Sequence, residues 1–172
     1  MMKHALLIFS GLVLSISNFI TTAAQSPAPL IFETPTVSST SVAFSYAGDI
    51  WIVDRAGGNA RRLTTNPARE IYPVFSPDGK EIAFTRLNSA GGPFAWDVFI
   101  VTVANGEERR LTYHPDLDLP INWTADGKNV LLLSFRQRTS LLGGQLFSMP
   151  AQGGRAIELP IPRGWTGSMA AG

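Results

Sequence analysis

The sequence predicts an all-β chain, a β-propeller of four-stranded antiparallel blades with about three blades present. Three observations predict it. Segments return 48 positions on: Arg61-Arg62-Leu63-Thr64 as Arg109-Arg110-Leu111-Thr112, and Ser76-Pro77-Asp78-Gly79-Lys80 as Thr124-Ala125-Asp126-Gly127-Lys128. A fixed period of roughly 20–50 residues marks a stacked repeat. Short apolar runs alternate with turn residues, and the chain holds 16 Gly and 12 Pro. Finally, Asp97-Val98-Phe99-Ile100-Val101, which echoes Asp49-Ile50-Trp51-Ile52-Val53, is apolar on both faces. Such a strand must be covered on both sides, and radial stacking of four-stranded sheets does this.

The chain begins with Lys3 and an apolar run from Ala5 to Ile20, interrupted by Ser10, Ser15, Ser17 and Asn18. Thr22-Ala23-Ala24 then supplies small residues. This is the layout of a secretory signal peptide over residues 1–24, with cleavage expected after Ala24. The rival is a membrane anchor. A spanning helix needs about 20 predominantly apolar residues, and this run is shorter and polar toward its end. No cysteine follows it, so a lipid anchor is excluded. The mature chain is expected in the periplasm or outside the cell, with no membrane partner after cleavage. Residues 25–34, with Pro27 and Pro29, read as an extended lead-in.

The middle unit, residues 65–112, sets the plan. Tyr72-Pro73-Val74-Phe75 is its first strand and Ser76-Pro77-Asp78-Gly79 a turn. Pro presets φ at the second turn position, and Gly accepts φ > 0 at the last. Ile82 to Arg86 is the second strand, and Leu87 to Trp96 a loop containing Gly91-Gly92-Pro93. Asp97 to Val103 is the third strand, and Asn105-Gly106 is a hairpin turn signal. Arg109 to Thr112 is the fourth, short and polar as an exposed edge should be. The first unit, 35–64, shortens the first turn to Ser38-Ser39-Thr40 and the second loop to Ser45-Tyr46-Ala47-Gly48. The third, 113–160, has Gln145 to Met149 as its third strand and Ala156 to Leu159 as its outer one. Residues 161–172 start a fourth. Propellers have four to eight blades, so three leave two apolar sheet faces open. Chains then self-associate through those faces, or this is the front of a longer protein; the second is the expectation.

These residues resemble a known repeat. The order of an inner strand, Ser76-Pro77-Asp78-Gly79-Lys80, Ile82-Ala83-Phe84, Asp97-Val98-Phe99-Ile100-Val101 and Arg109-Arg110-Leu111-Thr112 is similar to the TolB-type, WD40-like propeller repeat. Residues 35–172 resemble the N-terminal propeller of tricorn-type proteases, a serine peptidase family. The resemblance implies a six-bladed propeller that gates or channels peptides, joined to a separate catalytic domain. The family's catalytic Ser and His lie far downstream of any position matched here. The resemblance therefore implies no catalytic residue, no cofactor-binding residue and no metal ligand in this chain, and no cofactor.

The chemistry-bearing residues read the same way. His114 is the only histidine after residue 24, and with Asp116 or Asp118 it lacks an identifiable nucleophile, so a loop role is expected. Asp116 and Asp118 are too few for a hard cation that takes six to eight oxygens. Asp78 and Asp126 belong to turn chemistry. Asn122-Trp123-Thr124 matches a glycosylation acceptor but sits on an expected inner strand. Trp51 and Trp123 are expected between blades, with Trp96 and Trp165 completing the four tryptophans. Arg61, Arg62, Arg109 and Arg110 are expected on solvated outer strands with local ion pairs. The Leu87–Trp96 loop is the expected ligand-contacting segment. The formal net charge is +1, and losing Lys3 with residues 1–24 balances it, so no nucleic-acid partner is expected. The expected partner is a peptide or a protein. The functional expectation is a non-catalytic propeller segment guiding or filtering peptides for a secreted tricorn-like protease. The alternative is a TolB-like periplasmic interaction module, and an enzyme in its own right is the least favoured reading.

Overall fold

Each of the three units folds as one antiparallel sheet of four strands, meandering in chain order. A computed structural model describes residues 32–87, 95–136 and 144–161, all within one compact unit, Ile31–Gly172. The first blade is β1 (Glu33–Val37), β2 (Ser41–Tyr46), β3 (Asp49–Asp54) and β4 (Arg61–Arg62). The second is β5 (Glu70–Phe75), β6 (Glu81–Leu87), β7 (Trp96–Thr102) and β8 (Glu108–Arg110). The third is β9 (Asp118–Trp123), β10 (Asn129–Ser134), β11 (Gln145–Pro150) and β12 (Ile157–Glu158). There is no helix among the described residues. The expected all-β fold of stacked four-stranded blades is what the chain adopts.

The period-2 alternation of β6 and β7 assigns each face to a different neighbour. Ile82, Phe84 and Val101, with Phe99 beside them, join Ala43, Ile50, Ile52 and Leu63 of the first blade. Ala83, Val98 and Ile100 join Trp123, Val130, Leu132, Phe147 and Met149 of the third. The second blade is thus the covered centre of the stack. Each fully buried Leu, Ile or Phe here contributes on the order of 1.5–3 kcal/mol.

Proline marks the inner strands. Pro35 and Pro73 lie inside register shifts, between Glu33 and Thr36 and between Ile71 and Val74. Pro120 flanks the equivalent irregularity opposite Leu131 and Leu132. Proline cannot donate to a ladder, so it belongs where pairing is interrupted. Thr34 and Tyr72, just before two of these prolines, take φ of 48° and 56°. The two bulges also meet, with the Tyr72 amide donating to Thr34 Oγ1 at 3.2 Å.

The boundaries differ from the sequence expectation in informative ways. β1 begins at Glu33, so residues 33 and 34 join the first blade and not the lead-in. β5 starts at Glu70, two residues before Tyr72, because Glu70 and Ile71 are buried between blades. The outer strands stop at Arg62 and Arg110, short of Thr64 and Thr112. Leu63 and Leu111 leave the edge and turn into the inter-blade cores, where they are buried. The expected signal peptide, the expected lead-in up to residue 31, the central part of the Leu87–Trp96 loop, Trp165 and all but residue 161 of the expected fourth unit lie outside the described residues.

Leu111 fills the core between the second and third blades, whereas Ile157 stands exposed on β12. Leu111→Ala should destabilise by about 2–5 kcal/mol in urea unfolding. Ile157→Ala should stay within about 0.5 kcal/mol of the wild type.

Candidate functional site

The repeated Arg-Arg-Leu-Thr segment ties its own blade together and reaches the seam with the next. The first arginine reaches forward. Arg61 Nη2 donates to the Val103 carbonyl at 2.9 Å, and the Arg109 guanidinium donates to the Ala151 carbonyl at 3.3 Å while pairing with Glu81 at 2.7 Å. The second pairs with the aspartate that opens the third strand of its own blade. Arg62 lies 2.8 Å from Asp49, and Arg110 lies 2.7 Å from Asp97. Each also donates through Nε to the threonine carbonyl two residues on, at 3.0 and 2.8 Å. The leucine enters the apolar seam, its amide donating at 2.8 Å to Ile50 or Val98. The threonine closes the latch. Thr64 Oγ1 accepts from the Ile50 amide, and Thr112 Oγ1 from the Val98 amide, both at 2.9 Å.

Beyond the threonine stands the first acid of the next blade. Thr64 donates to Glu70, which is wholly buried and also takes Arg86 Nε at 2.8 Å. Arg86 is shared with Glu108, and its guanidinium lies 4.1 Å above the Phe99 ring. At the next seam the equivalent acid is Asp118, also wholly buried and paired with Arg136 at 2.8 Å. Burial pushes the Glu70 carboxyl above the usual range, against the pull of Thr64 and Arg86. Burial also raises Asp97, against Arg110, and the nearby charge of Asp118 adds to the rise. Among the described residues, Oδ1 of Asp49, Asp97 and Asp118 has no hydrogen-bond partner.

The third unit departs from this pattern. Gln145 stands where Asp49 and Asp97 stand, and Ile157-Glu158-Leu159-Pro160 replaces Arg-Arg-Leu-Thr. Leu159 keeps its backbone bond, donating to Leu146 at 2.9 Å. Gln145 Nε2 donates to the Leu159 carbonyl at 3.0 Å, a neutral substitute for the ion pair.

At the opposite end of the blades the Asp-Gly turns are built alike. Asp78 Oδ1 accepts from Ser76 Oγ at 2.7 Å and the Lys80 amide at 3.1 Å. Asp126 Oδ1 accepts from Thr124 Oγ1 at 2.6 Å and the Lys128 amide at 3.0 Å. These bonds hold both carboxyls below the usual range, led by the hydroxyl in each case. A cleft of about 610 Å³ lies between the two turns, lined by Asp78, Asp126, Glu81 and Lys80 among others. A second, of about 410 Å³, runs between the outer parts of the second and third blades, past Arg110, Tyr113, His114, Arg136 and Gln152.

His114 Nδ1 accepts from the Asp116 amide at 3.2 Å and lies 3.7 Å from the Asp116 carboxylate. Asp118, by contrast, pairs with Arg136. Trp123 is buried between blades, donating through Nε1 to the Val74 carbonyl at 3.0 Å. Trp51 packs otherwise than expected. It lies within its own blade, edge-on to Tyr46 and donating to the Tyr46 carbonyl at 3.1 Å. Ile50 and Ile52 already occupy the β3 face toward the second blade, which leaves Trp51 the other one. Asn122 stays in β9, its Oδ1 accepting from the Trp123 amide. The four repeat arginines are not merely solvated. Arg61 and Arg109 cross a seam, and Arg62 and Arg110 pair with buried acids. Reasoning from the sequence missed Thr64, Glu70, Arg86 and Arg136. The available signal was the spacing itself, since Glu70 and Asp118 also stand 48 positions apart.

A family model described as the tricorn protease N-terminal beta propeller domain matches residues 29–172. The chain belongs to that family. Among solved structures, this tricorn-propeller chain is similar to the tricorn protease itself, with a TM-score of 0.66 at 20% identity over 77% of this chain and 13% of that one. It is also similar to TolB from Acinetobacter baumannii, with a TM-score of 0.62 at 18% identity over 77% of this chain and 33% of that one. A TolB homologue of Chlorobium chlorochromatii (strain CaD3) is 42% identical over 43 residues, 24% of this chain and 10% of that protein. The tricorn-propeller chain thus spans a minor part of each of these proteins.

In this member of the tricorn N-terminal propeller family the buried acids give a pH signature. Folded Glu70 holds its proton more tightly than in the unfolded chain. Its contribution is therefore full below the ordinary value of 4.5 and is lost as pH rises through the raised folded value. Wild-type stability, measured against Glu70→Gln by urea unfolding across a pH series, should rise on acidification from neutrality toward that value. A constant difference, or the opposite slope, would contradict the assignment.

Proposed function

We propose that this chain is a non-catalytic propeller segment of a secreted or periplasmic tricorn-like protease, guiding or filtering peptides. The observation that carries the reading is the match of residues 29–172 to the tricorn N-terminal propeller. Two features support it. The blades are joined across the seams by apolar packing and by Arg61, Thr64 and Arg109, which bond to groups of the next blade, so they form a wall on which loops and clefts can present binding groups. His114, the one histidine among the described residues, is engaged by Asp116 rather than by a hydroxyl or thiol nucleophile. The apolar run after Lys3 supports export, with the mature chain beginning at Gln25. A TolB-like module that binds a folded partner is the second reading, favoured by the 43-residue likeness to a TolB homologue.

Incubation of the full-length chain with a mixed peptide library, followed by mass spectrometry, tests this reading. Peptides should be retained on size exclusion and recovered uncut, and His114→Ala should change neither result. Cleavage by the pure chain that disappears in His114→Ala would overturn it, and retention of a folded protein in place of peptides would favour the second reading.

A further inference from the structure

Three turns of the second and third blades set an Asp or Asn before a glycine: Asp78-Gly79, Asn105-Gly106 and Asp126-Gly127. In each, Oδ1 accepts the amide two residues on, from Lys80 at 3.1 Å, Glu107 at 3.0 Å and Lys128 at 3.0 Å. That bond wraps the side chain around the glycine peptide and keeps Cγ beside the glycine nitrogen. Attack of that nitrogen on Cγ closes a five-membered imide, and glycine, lacking Cβ, obstructs the approach least.

The three turns differ in their electrophile. Asp78 and Asp126 also accept the Ser76 and Thr124 hydroxyls at 2.7 and 2.6 Å, bonds that favour the carboxylate. A carboxylate repels a nucleophile and has no neutral leaving group. Asn105 carries a carboxamide, which is uncharged and can release ammonia. Charge builds on its Oδ1 during attack, and the Glu107 amide already donates to that atom. Asn105 is exposed in the turn between β7 and β8, and Asn105-Gly106 is the single Asn-Gly pair of the sequence. Asn66 precedes Pro67, which has no N–H, while Asn122 and Asn129 precede Trp123 and Val130 within strands. The matching turns of the other two blades have Gly57 and Gly153 in place of Asn105.

This turn also stands at the first seam. Arg61 Nη2 donates to the Val103 carbonyl at 2.9 Å, and a Cβ on Gly106 would lie 3.2 Å from the Leu63 carbonyl. A change in the main chain at residue 105 is therefore felt by the first blade.

We propose that Asn105 is a self-modifying site of the folded chain, converting through a cyclic imide to aspartyl and β-aspartyl forms. The Gly106 nitrogen loses its proton to solvent and bonds to Cγ. The Cγ–Nδ2 bond breaks, and Nδ2 takes a proton from water and leaves as ammonia. Water then opens the imide. Attack at Cγ gives an ordinary aspartyl link, and attack at the main-chain carbonyl gives a β-link that adds one atom to the backbone. The sum is one water consumed and one ammonia released. The Gly106 N–H donates to the Thr102 carbonyl at 2.8 Å, so the step proceeds from openings of the turn. The β-link lengthens the chain where Val103 and Gly106 meet the first blade, and so loosens that seam.

The test ages the full-length chain in mildly alkaline buffer beside the synthetic peptide Val-Ala-Asn-Gly-Glu-Glu, with peptide mapping by mass spectrometry. Residue 105 should gain one mass unit, faster as pH rises, at no less than about one-thirtieth of the free peptide's rate. Asn105→Gln should remove the gain, and Asp78 and Asp126 should keep their ordinary links. The urea midpoint should fall with age in the wild type and stay constant in Asn105→Gln. Fresh Asn105→Asp, which adds the charge without the extra atom, should match the fresh wild type. No gain at residue 105 over that span, or equally fast change at Asn122, Asn129, Asp78 or Asp126, would overturn the site. An unchanged midpoint in the aged wild type, or an equal loss in Asn105→Gln, would overturn the effect on the seam.

Discussion

A threonine hydroxyl at the end of each of the first two outer strands is the contact on which the stack depends. It accepts an amide near the start of the third strand, from Ile50 or Val98, and at Thr64 it also donates to the acid that opens the next blade. That placement requires the chain to leave the edge at once, which buries Leu63 and Leu111. It also requires the preceding arginine to lie across the strand, where it meets Asp49 or Asp97. One short segment thus fixes strand pairing within a blade, the apolar seam and the polar end of the seam together. The cost is a set of carboxylates removed from water, each paired with an arginine through one of its oxygens. Removing one partner leaves a buried charge uncompensated, so the latch is rigid.

The titratable groups with raised values are buried: Glu70 takes Thr64 of the preceding blade and Arg86 of its own, and Asp97 pairs with Arg110 of its own blade. Two clefts lie where the second and third blades meet, one lined by Asp78, Glu81, Asp126 and Lys80 and the other by Arg110 and Arg136. The third unit keeps the leucine and the backbone bond but exchanges the ion pair for Gln145 and the threonine for Pro160. The repeat therefore separates what every blade keeps, an apolar plug, from what the first two blades add, an ion pair between the second arginine and the aspartate of the third strand. Residues 29–172 belong to the tricorn N-terminal propeller family.

The architecture was legible because the repeat is written in residues that make the turns and the seams. Asp78-Gly79 and Asp126-Gly127 named the turns by their own hydrogen bonding, and the two-sided apolar run of β7 required a neighbour on each face. Less was legible where a residue's role depends on another blade. Arg61 and Arg109 look like edge residues, since nothing local shows that the carbonyls they reach belong to the next unit. Glu70 and Asp118 look like ordinary loop acids, because their burial follows only from the docking of blades. Trp51 was misplaced for the same reason, since its face is decided by Ile50 and Ile52. The cleft was not legible at all, because it joins residues 110–114 to Arg136 and Gln152 across a seam.

The most direct test of the latch is a double-mutant cycle on Thr64→Val and Glu70→Gln, measured by urea unfolding at neutral pH. If the threonine ties its own blade to the next, the two changes should be coupled by on the order of 1–3 kcal/mol. Additivity within about 0.5 kcal/mol would mean that the two groups act independently, and that the seam is held by apolar packing alone.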